Sequence, residues 1–444
     1  MELVVERHGA AGGLEGDDHT SAPLGPEGAS GQLTRWLEAD LPRLNGDILA
    51  GRRPLSDLVA AVNAAMAGLD SPTRCAVDEC RRRLVALGMV GSSAERHSQE
   101  AGEPPGAALR QLVVGGWPFR KYVATLASRV GHPPRDSLLT QVLWNAPAVS
   151  VYLPEAATPY LTLPSVFADR EGPITYSDDP GESHILLLLK RCVALEVAAN
   201  DHLWPLCEGS LTLHGHQALR HVEAATLFLR AVRAELRLFT QRTEFTAAFF
   251  LDVFRQYACA WDGEETYSAP SGAHDPAAIA RDILLGIGID GFEAHVDHLF
   301  DVLDPPGQAD VTRARSATSL ADLLAKALKL DGLAGISSEV AAELAFAHPW
   351  LANYYRLYQA NGDVSAAHWA LIYKYIVGPT RDREEDAVVV SNREGTSGMG
   401  MDTLRQNVSA RTNHPLSCLR DVFKAPRAHT EPGAKVVVSG GPPC

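Results

Sequence analysis

His368 begins the run His368-Trp369-Ala370-Leu371-Ile372-Tyr373-Lys374-Tyr375-Ile376, and Gly395-Thr396-Ser397-Gly398 follows one loop later. If that run is a helix, Leu371, Ile372, Tyr375 and Ile376 fall at i+3, i+4, i+7 and i+8 from His368. The imidazole then sits on the apolar stripe and faces a core. A neutral imidazole facing an apolar cavity is what an iron porphyrin needs as its protein ligand. A hydrogen-bonded core histidine carries the same pattern. The loop adds a second feature, because its backbone N–H groups suit a carboxylate such as a haem propionate. A second candidate pair lies in His414-Pro415-Leu416-Ser417-Cys418. On one helix, i,i+4 spacing puts the imidazole and the thiol on a single face. Such a pair suits iron ligation and a thioether to a porphyrin vinyl carbon. A buried cysteine one turn from a histidine fits equally well.

Other chemistry is weaker. His214, His216 and His221, with His295 and His298, are rich in imidazole, but no cysteine or carboxylate stands at a metal-site interval. They read as surface histidines. Gly286-Ile287-Gly288-Ile289-Asp290-Gly291 matches Gly-x-Gly-x-x-Gly, yet it follows a helical pattern rather than a strand. It reads as a helix–helix junction. No Gly-x-Ser-x-Gly elbow occurs.

The elements that must position these residues are helices. Apolar helical patterns cover 56–69, 73–90, 107–130, 135–145, 182–205, 216–240, 243–259, 276–288, 290–303, 318–329, 337–346, 363–378 and 399–424. Strand signals are short, at 387–391 and 435–439. Residues 9–31 read as a loose, polar leader, and 91–105 as the boundary after an N-terminal helical region. The expected layout is an N-terminal region 1–104, a catalytic domain 105–425 and a flexible tail 426–444. The fold class is all-α, a helical bundle able to hold a flat cofactor. With 444 residues, 46% of them hydrophobic, the chain can bury a large core. A formal charge of −14 without a basic run argues against nucleic acid as a partner. The apolar stretches are too short for a membrane span, and the N-terminus lacks a signal core. Seven scattered cysteines suggest no disulfide framework, so the expected compartment is the cytoplasm.

Four patches together carry a resemblance. The segments 368–376 and 395–405 resemble the proximal-histidine helix and Gly-Thr-Gly-Gly loop of the indoleamine/tryptophan 2,3-dioxygenase superfamily. Phe249-Phe250-Leu251-Asp252-Val253-Phe254-Arg255, ending at Trp261, resembles its substrate-side helix, with the same six-residue step from Arg to Trp. Ser271-Gly272-Ala273 followed by Asp282-Ile283-Leu284-Leu285-Gly286 resembles its distal loop and the helix after it. The stretch from Pro133 to Asn145 is similar to a bacterial branch of that superfamily. That branch contains the pyrrolnitrin-pathway enzyme monodechloroaminopyrrolnitrin synthase and the haem-dependent aromatic hydroxylases. The patches are collinear over residues 105–425. The arrangement of His368 with His414 and Cys418 resembles that of 3-methyltyrosine hydroxylases, which hold a c-type haem by one thioether.

The resemblance implies an indoleamine 2,3-dioxygenase-like bundle enclosing haem, with His368 as the iron ligand. It implies that Gly395, Thr396, Ser397 and Gly398, with His414 and Cys418, contact the cofactor. Arg255 would anchor a substrate carboxylate, with Phe250, Trp261 and Gly272 lining the substrate site. Ser271 and His274 would stand on the distal side as catalytic groups. Two departures stand out: Ser397 replaces a family glycine, and Ser365 stands three before His368, where the dioxygenases carry a propionate-pairing Arg. They point away from ring-opening dioxygenation more than from haem binding. The expected activity is hydroxylation of a tyrosine- or tryptophan-derived amino acid with O2 or H2O2, in natural-product biosynthesis. Indole dioxygenation or ring rearrangement is the alternative, as is a carrier whose iron His368 and His414 close together. A homodimer is compatible with each.

Overall fold

A computed structural model describes residues 28–154, 156–167, 170–209, 211–261, 270–381, 389–390, 400–423 and 438–439. It is 67% helix and 3% strand, as an all-α chain requires. Helices α1 (Ala29–Ala39), α2 (Leu41–Leu49), α3 (Leu55–Met66), α4 (Val77–Glu100) and α5 (Phe119–Val130) open the chain. A two-stranded ladder, β1 (Val113–Val114) with β2 (Trp117–Pro118), precedes α5. A π-helical turn, Leu139–Leu143, leads to β3 (Val149–Val151) and β4 (Leu161–Leu163). The long helices α6 (Pro180–Cys207) and α7 (His216–Gln241) follow. After a second π turn, Phe249–Phe254, come α8 (Pro276–Leu285), α9 (Phe292–Phe300), α10 (Pro305–Ser316), α11 (Leu320–Ala327) and α12 (Ser338–Ala347). Helix α13 (Leu351–Ile372) runs into a third π turn, Tyr373–Val377, and the short α14 (Gly378–Thr380). The chain closes with α15 (Met401–Thr412), α16 (Arg420–Phe423) and β5 (Val438–Ser439), which pairs antiparallel with β3.

Two apolar cores organise these elements. The larger lies among α6, α7, α8 and α13, where Ala198, Phe228, Leu284 and Tyr358 are buried together. The N-terminal core joins α1 to α5 and takes in Tyr176, Tyr257 and Trp261 from later in the chain. The stretch 91–105 proves to be helix as far as Glu100, because its polar residues are buried and paired. Asn45 Nδ2 donates to Ser93 Oγ at 3.1 Å, and His97 Nε2 meets Asn45 Oδ1 at 3.0 Å. Ser92 Oγ donates to Asp136 Oδ2 at 2.7 Å, and Glu95 accepts from the Gly106 and Leu109 N–H groups. Gly91 is required there, since a Cβ would lie 2.5 Å from the Trp261 ring. A buried polar seam looks like a loop to any hydropathy pattern.

Elsewhere the periodicity holds with local exceptions. α1, α2 and α10 were not expected, although α1 buries Leu33 and Leu37 and α2 buries Leu41 and Leu44 at helical spacing. Residues 107–118 form a 3-10 turn and the β1–β2 ladder rather than helix. The junction at 286–291 is as read: α8 ends on Gly286 at φ 70°, and α9 starts after Gly291 at φ 72°. The expected strand at 387–391 lies mostly outside the described residues, and residues 389–390 form a bend. From the expected tail, Val438–Ser439 pairs with β3. Among the described residues, no helix is long and apolar enough to cross a membrane.

Candidate functional site

His368 sits on α13, one turn before the third π segment. Ser365, Ala367, Leu371, Tyr375 and Ile376 around it are buried, so the stripe faces the core as its spacing required. The imidazole itself is exposed. Surrounding protein is nevertheless the leading cause lowering its pKa, followed by the charge of Arg411. Among the described residues neither ring nitrogen has a hydrogen bond. The side chain is therefore an accessible imidazole on α13 with a lowered pKa and no hydrogen bond among the described residues.

The surroundings of His368 are polarised along α13. Asn361, seven residues earlier on the same face, is fully buried beside Asp282. Arg411 of α15 donates from Nη2 and Nε to Asp282 Oδ2 at 2.6 and 3.0 Å. These bonds and the Arg281 charge hold Asp282 below the usual carboxylate range despite burial. Arg281 reaches Glu196 of α6 at 2.9 Å. Asp275 lies beside Glu196, and burial plus that neighbour push its pKa well up. Toward the other end stands Tyr375, seven residues after His368. Its ring lies 5.0 Å from Phe245, 6.1 Å from Phe239 and 6.3 Å from Phe250. The Tyr375 hydroxyl is buried with no partner among the described residues. One end of the His368 face is thus ionic and the other aromatic.

The loop expected on the distal side is a 3-10 turn, Gly272–His274, capped by Ser271 Oγ accepting from Ala273 N–H at 3.2 Å. Gly272 is exposed, and a Cβ there would meet only Leu189 of α6, at 3.8 Å. His274 is only 4% exposed, and its Nε2 has no partner among the described residues. Burial, then Arg135, His295 and His298, bring its pKa down to about 4, so it is neutral rather than a solvated cation. Asp275 at the end of this turn meets Glu196, and Glu196 also acts on His368. Helix α6 therefore backs both sets of residues.

Arg255 is only 2% exposed, in the 3-10 turn Arg255–Tyr257 that ends the second π segment. Its neighbour Gln256 donates to Val390 O at 3.2 Å and accepts from Val390 N at 2.8 Å. That pairing holds Val390, five residues before Gly395, against the turn that carries Arg255. Gly395, Thr396, Ser397 and Gly398 themselves lie outside the described residues. Phe250 is half-buried in the aromatic end. Trp261 is placed elsewhere: it fills the N-terminal core, packs on Phe119 at 5.8 Å and donates to Ser92 Oγ at 3.1 Å.

The second candidate pair is not on one helix. α15 stops at Thr412, Pro415 sits in the turn after it, and Cys418 lies on the 3-10 turn Ser417–Leu419. Proline removes a backbone donor and blocks continuation of the helix. His414 is buried and stacks on Tyr358, centroids 5.5 Å apart and planes 13° from parallel. Tyr358 precedes His368 by ten residues, roughly 15 Å along the helix axis. His202 and His221 meet through their Nδ1 atoms at 3.0 Å, a hydrogen-bonded imidazole pair. Among the described residues, no three His, Cys, Asp or Glu side chains are grouped to hold a metal ion.

Sequence reading missed Glu196, Asp275, Asn361 and Arg411. Each comes from a different segment, and no local spacing joins them. The residues present fit a flat metal macrocycle in two respects. His368 is an accessible imidazole with a lowered pKa, and its helix face has one ionic and one aromatic end. No family model and no curated protein matches the chain.

Proposed function

We propose that the chain is a histidine-ligated haem oxygenase acting on an aromatic amino acid or a derivative of one. The observation that carries this reading is His368: an accessible imidazole whose pKa is lowered and which no neighbour among the described residues engages. Haem, when bound, supplies an iron able to bind dioxygen or peroxide. The chain's residues divide the remaining work. His368 ligates, and the 395–398 loop offers N–H groups to a propionate. Phe250 walls the aromatic end. Exposed Gly272 leaves room beside Leu189, while Ser271 holds the turn in place. His274, neutral and with Nε2 unengaged among the described residues, is able to accept or return a proton at that atom. Arg255 takes the substrate carboxylate in its planar fork.

Ring hydroxylation remains the preferred reaction, with indole dioxygenation or rearrangement as the alternative. The stacking of His414 on Tyr358 gives no support to a carrier closed by two histidines. The test is an optical spectrum. Purified chain supplied with haem is expected to show a Soret band that His368→Ala abolishes while the far-ultraviolet helical signal stays. A variant with wild-type haem content and spectrum would overturn the assignment. Consumption of oxygen or peroxide with tyrosine or tryptophan then separates an oxygenase from a carrier.

A further inference from the structure

We propose that Arg411 is a carboxylate-binding residue on the His368 side of α13. The inference rests on the reading of His368 as part of a ligand site. Its own evidence is the way α15 is held. Gly362 of α13 has no side chain, and a Cβ there would lie 3.0 Å from Arg411 O and 3.4 Å from Thr412 Cα. This close approach sets the Arg411 backbone against α13, six residues before His368. From there the guanidinium enters the bundle to reach Asp282, which is 1% exposed.

The use of that guanidinium is lopsided. Nε and Nη2 both donate to one oxygen, Asp282 Oδ2. Nη1 has no hydrogen bond among the described residues and is not sealed from solvent, since the side chain keeps 20% of its accessible surface. Arg411 is also the strongest charged influence on His368. A planar guanidinium with one edge anchored and the other edge open is preorganised for a second carboxylate. Asp282 fixes its orientation, so little side-chain entropy is lost on binding. Ser365, buried on the same face, offers no charge for this task. With Arg411 at the ionic end and Phe250 and Tyr375 at the aromatic end, a ligand would lie acid group toward Arg411 and ring toward Tyr375.

A carboxylate there comes from one of two sources, a haem propionate or, in place of the Arg255 contact proposed above, an amino-acid substrate, and the experiment separates them. The variants are Arg411→Lys and the double variant Arg411→Leu/Asp282→Asn, which leaves no unpaired buried charge. If the propionate is the ligand, both variants should bind haemin at least tenfold more weakly, with affinity for haemin dimethyl ester unchanged. If the substrate is the ligand, haem content stays constant. The dissociation constant for tyrosine or tryptophan then rises at least tenfold, and that for tyramine or tryptamine does not. Unchanged affinity for haemin and for both amino acids in both variants would overturn the proposal. Failure of wild-type chain to bind haemin would instead sink the haem reading, and amino-acid binding to the chain would still decide Arg411. Melting curves of each variant exclude loss of fold as the cause.

Discussion

Lys190 shows how costly groups are spent on positioning in this chain. It is fully buried on α6, and its ammonium donates to Leu143 O and Ala146 O at 2.7 Å and to Pro164 O at 2.8 Å. Burial alone pulls its pKa to about 7, yet only the ammonium form supplies all three donors. Leu143 ends the first π turn, and Leu189 beside Lys190 is the neighbour of Gly272. Lys190→Met keeps the stem and strips three carbonyls of their partners. At about 1–3 kcal/mol for each orphaned group, it should destabilise by about 3 kcal/mol or more, read as a lower urea midpoint. A variant as stable as wild type would show that water replaces the ammonium. Arg255 is predicted to act on binding instead. Truncating one side of a buried charge pair costs about 2–5 kcal/mol, so Arg255→Ala should raise the substrate Kd roughly 30-fold or more with haem content constant. Unaltered affinity removes Arg255 from the site. For Cys418, the break at Pro415 withdraws the shared helical face. Haem is therefore expected to leave wild-type protein completely on acid–acetone extraction, and a haem-sized increase in intact mass would reverse that expectation.

At the scale of elements, the three π turns are the feature a 3.6-residue period could not express. They lie at Leu139–Leu143, Phe249–Phe254 and Tyr373–Val377, inside segments whose residue types had already suggested chemistry. A π turn inserts one residue and re-aims the side chains beyond it, and such turns concentrate at functional sites. The second touches the third through Phe250 and Tyr375, and approaches the first through Phe254 with Leu138 and Val142. The existence of most helices was legible because apolar spacing is local. The buried face formed by Leu371, Tyr375 and Ile376 was legible for that reason, while the exposure of His368 was not. The His414–Cys418 face was misread because spacing cannot show that Pro415 falls in a turn. The ionic end was illegible because Glu196, Asp275, Asp282, Asn361 and Arg411 converge only in space. One contact between elements is open to test. Gln256→Leu removes both hydrogen bonds to Val390 while keeping a buried side chain of similar size. If those bonds hold the approach to the glycine loop over the cofactor, haem should transfer to a scavenger protein about tenfold faster, equivalent to about 1.4 kcal/mol. An unchanged transfer rate would detach that loop from haem retention.

For the molecule as a whole, the buried titratable groups set an unusual dependence of stability on pH. His132, His274 and His414 are buried and brought down to about 4, and His97 to about 3. Each binds a proton in the unfolded chain below 6.5 but not in the fold, so its contribution is intact above 6.5 and is lost as pH falls toward 4. The buried carboxyls work the other way. Glu182 is pushed up to about 8 by burial, against donors from Tyr176 N, Ser177 N and Ser177 Oγ, and Asp136 and Glu235 are also raised. Unfolded, these acids lose their protons near pH 4, while the fold retains them. Their contribution is therefore fully present below the unfolded value and declines as pH rises through the folded one. Between 4.5 and 6.5 the two sets oppose each other. Above 6.5 the histidines are neutral in both states, and Glu182, raised to about 8, and Lys190, lowered to about 7, act with opposite signs. The proton that Glu182 retains costs about 1.4 kcal/mol of stability per pH unit. The unfolding free energy of wild type is thus expected to fall more, or rise less, between pH 6.5 and 8 than that of Glu182→Gln. Glu182→Gln should shift the slope there by about one proton, while His414→Phe flattens only the acid side. Urea unfolding at pH 4.5, 6.5 and 8 reads both slopes. Equal slopes for wild type and Glu182→Gln above pH 6.5 would mean that Glu182 is ionised in the fold, its three donors outweighing its burial.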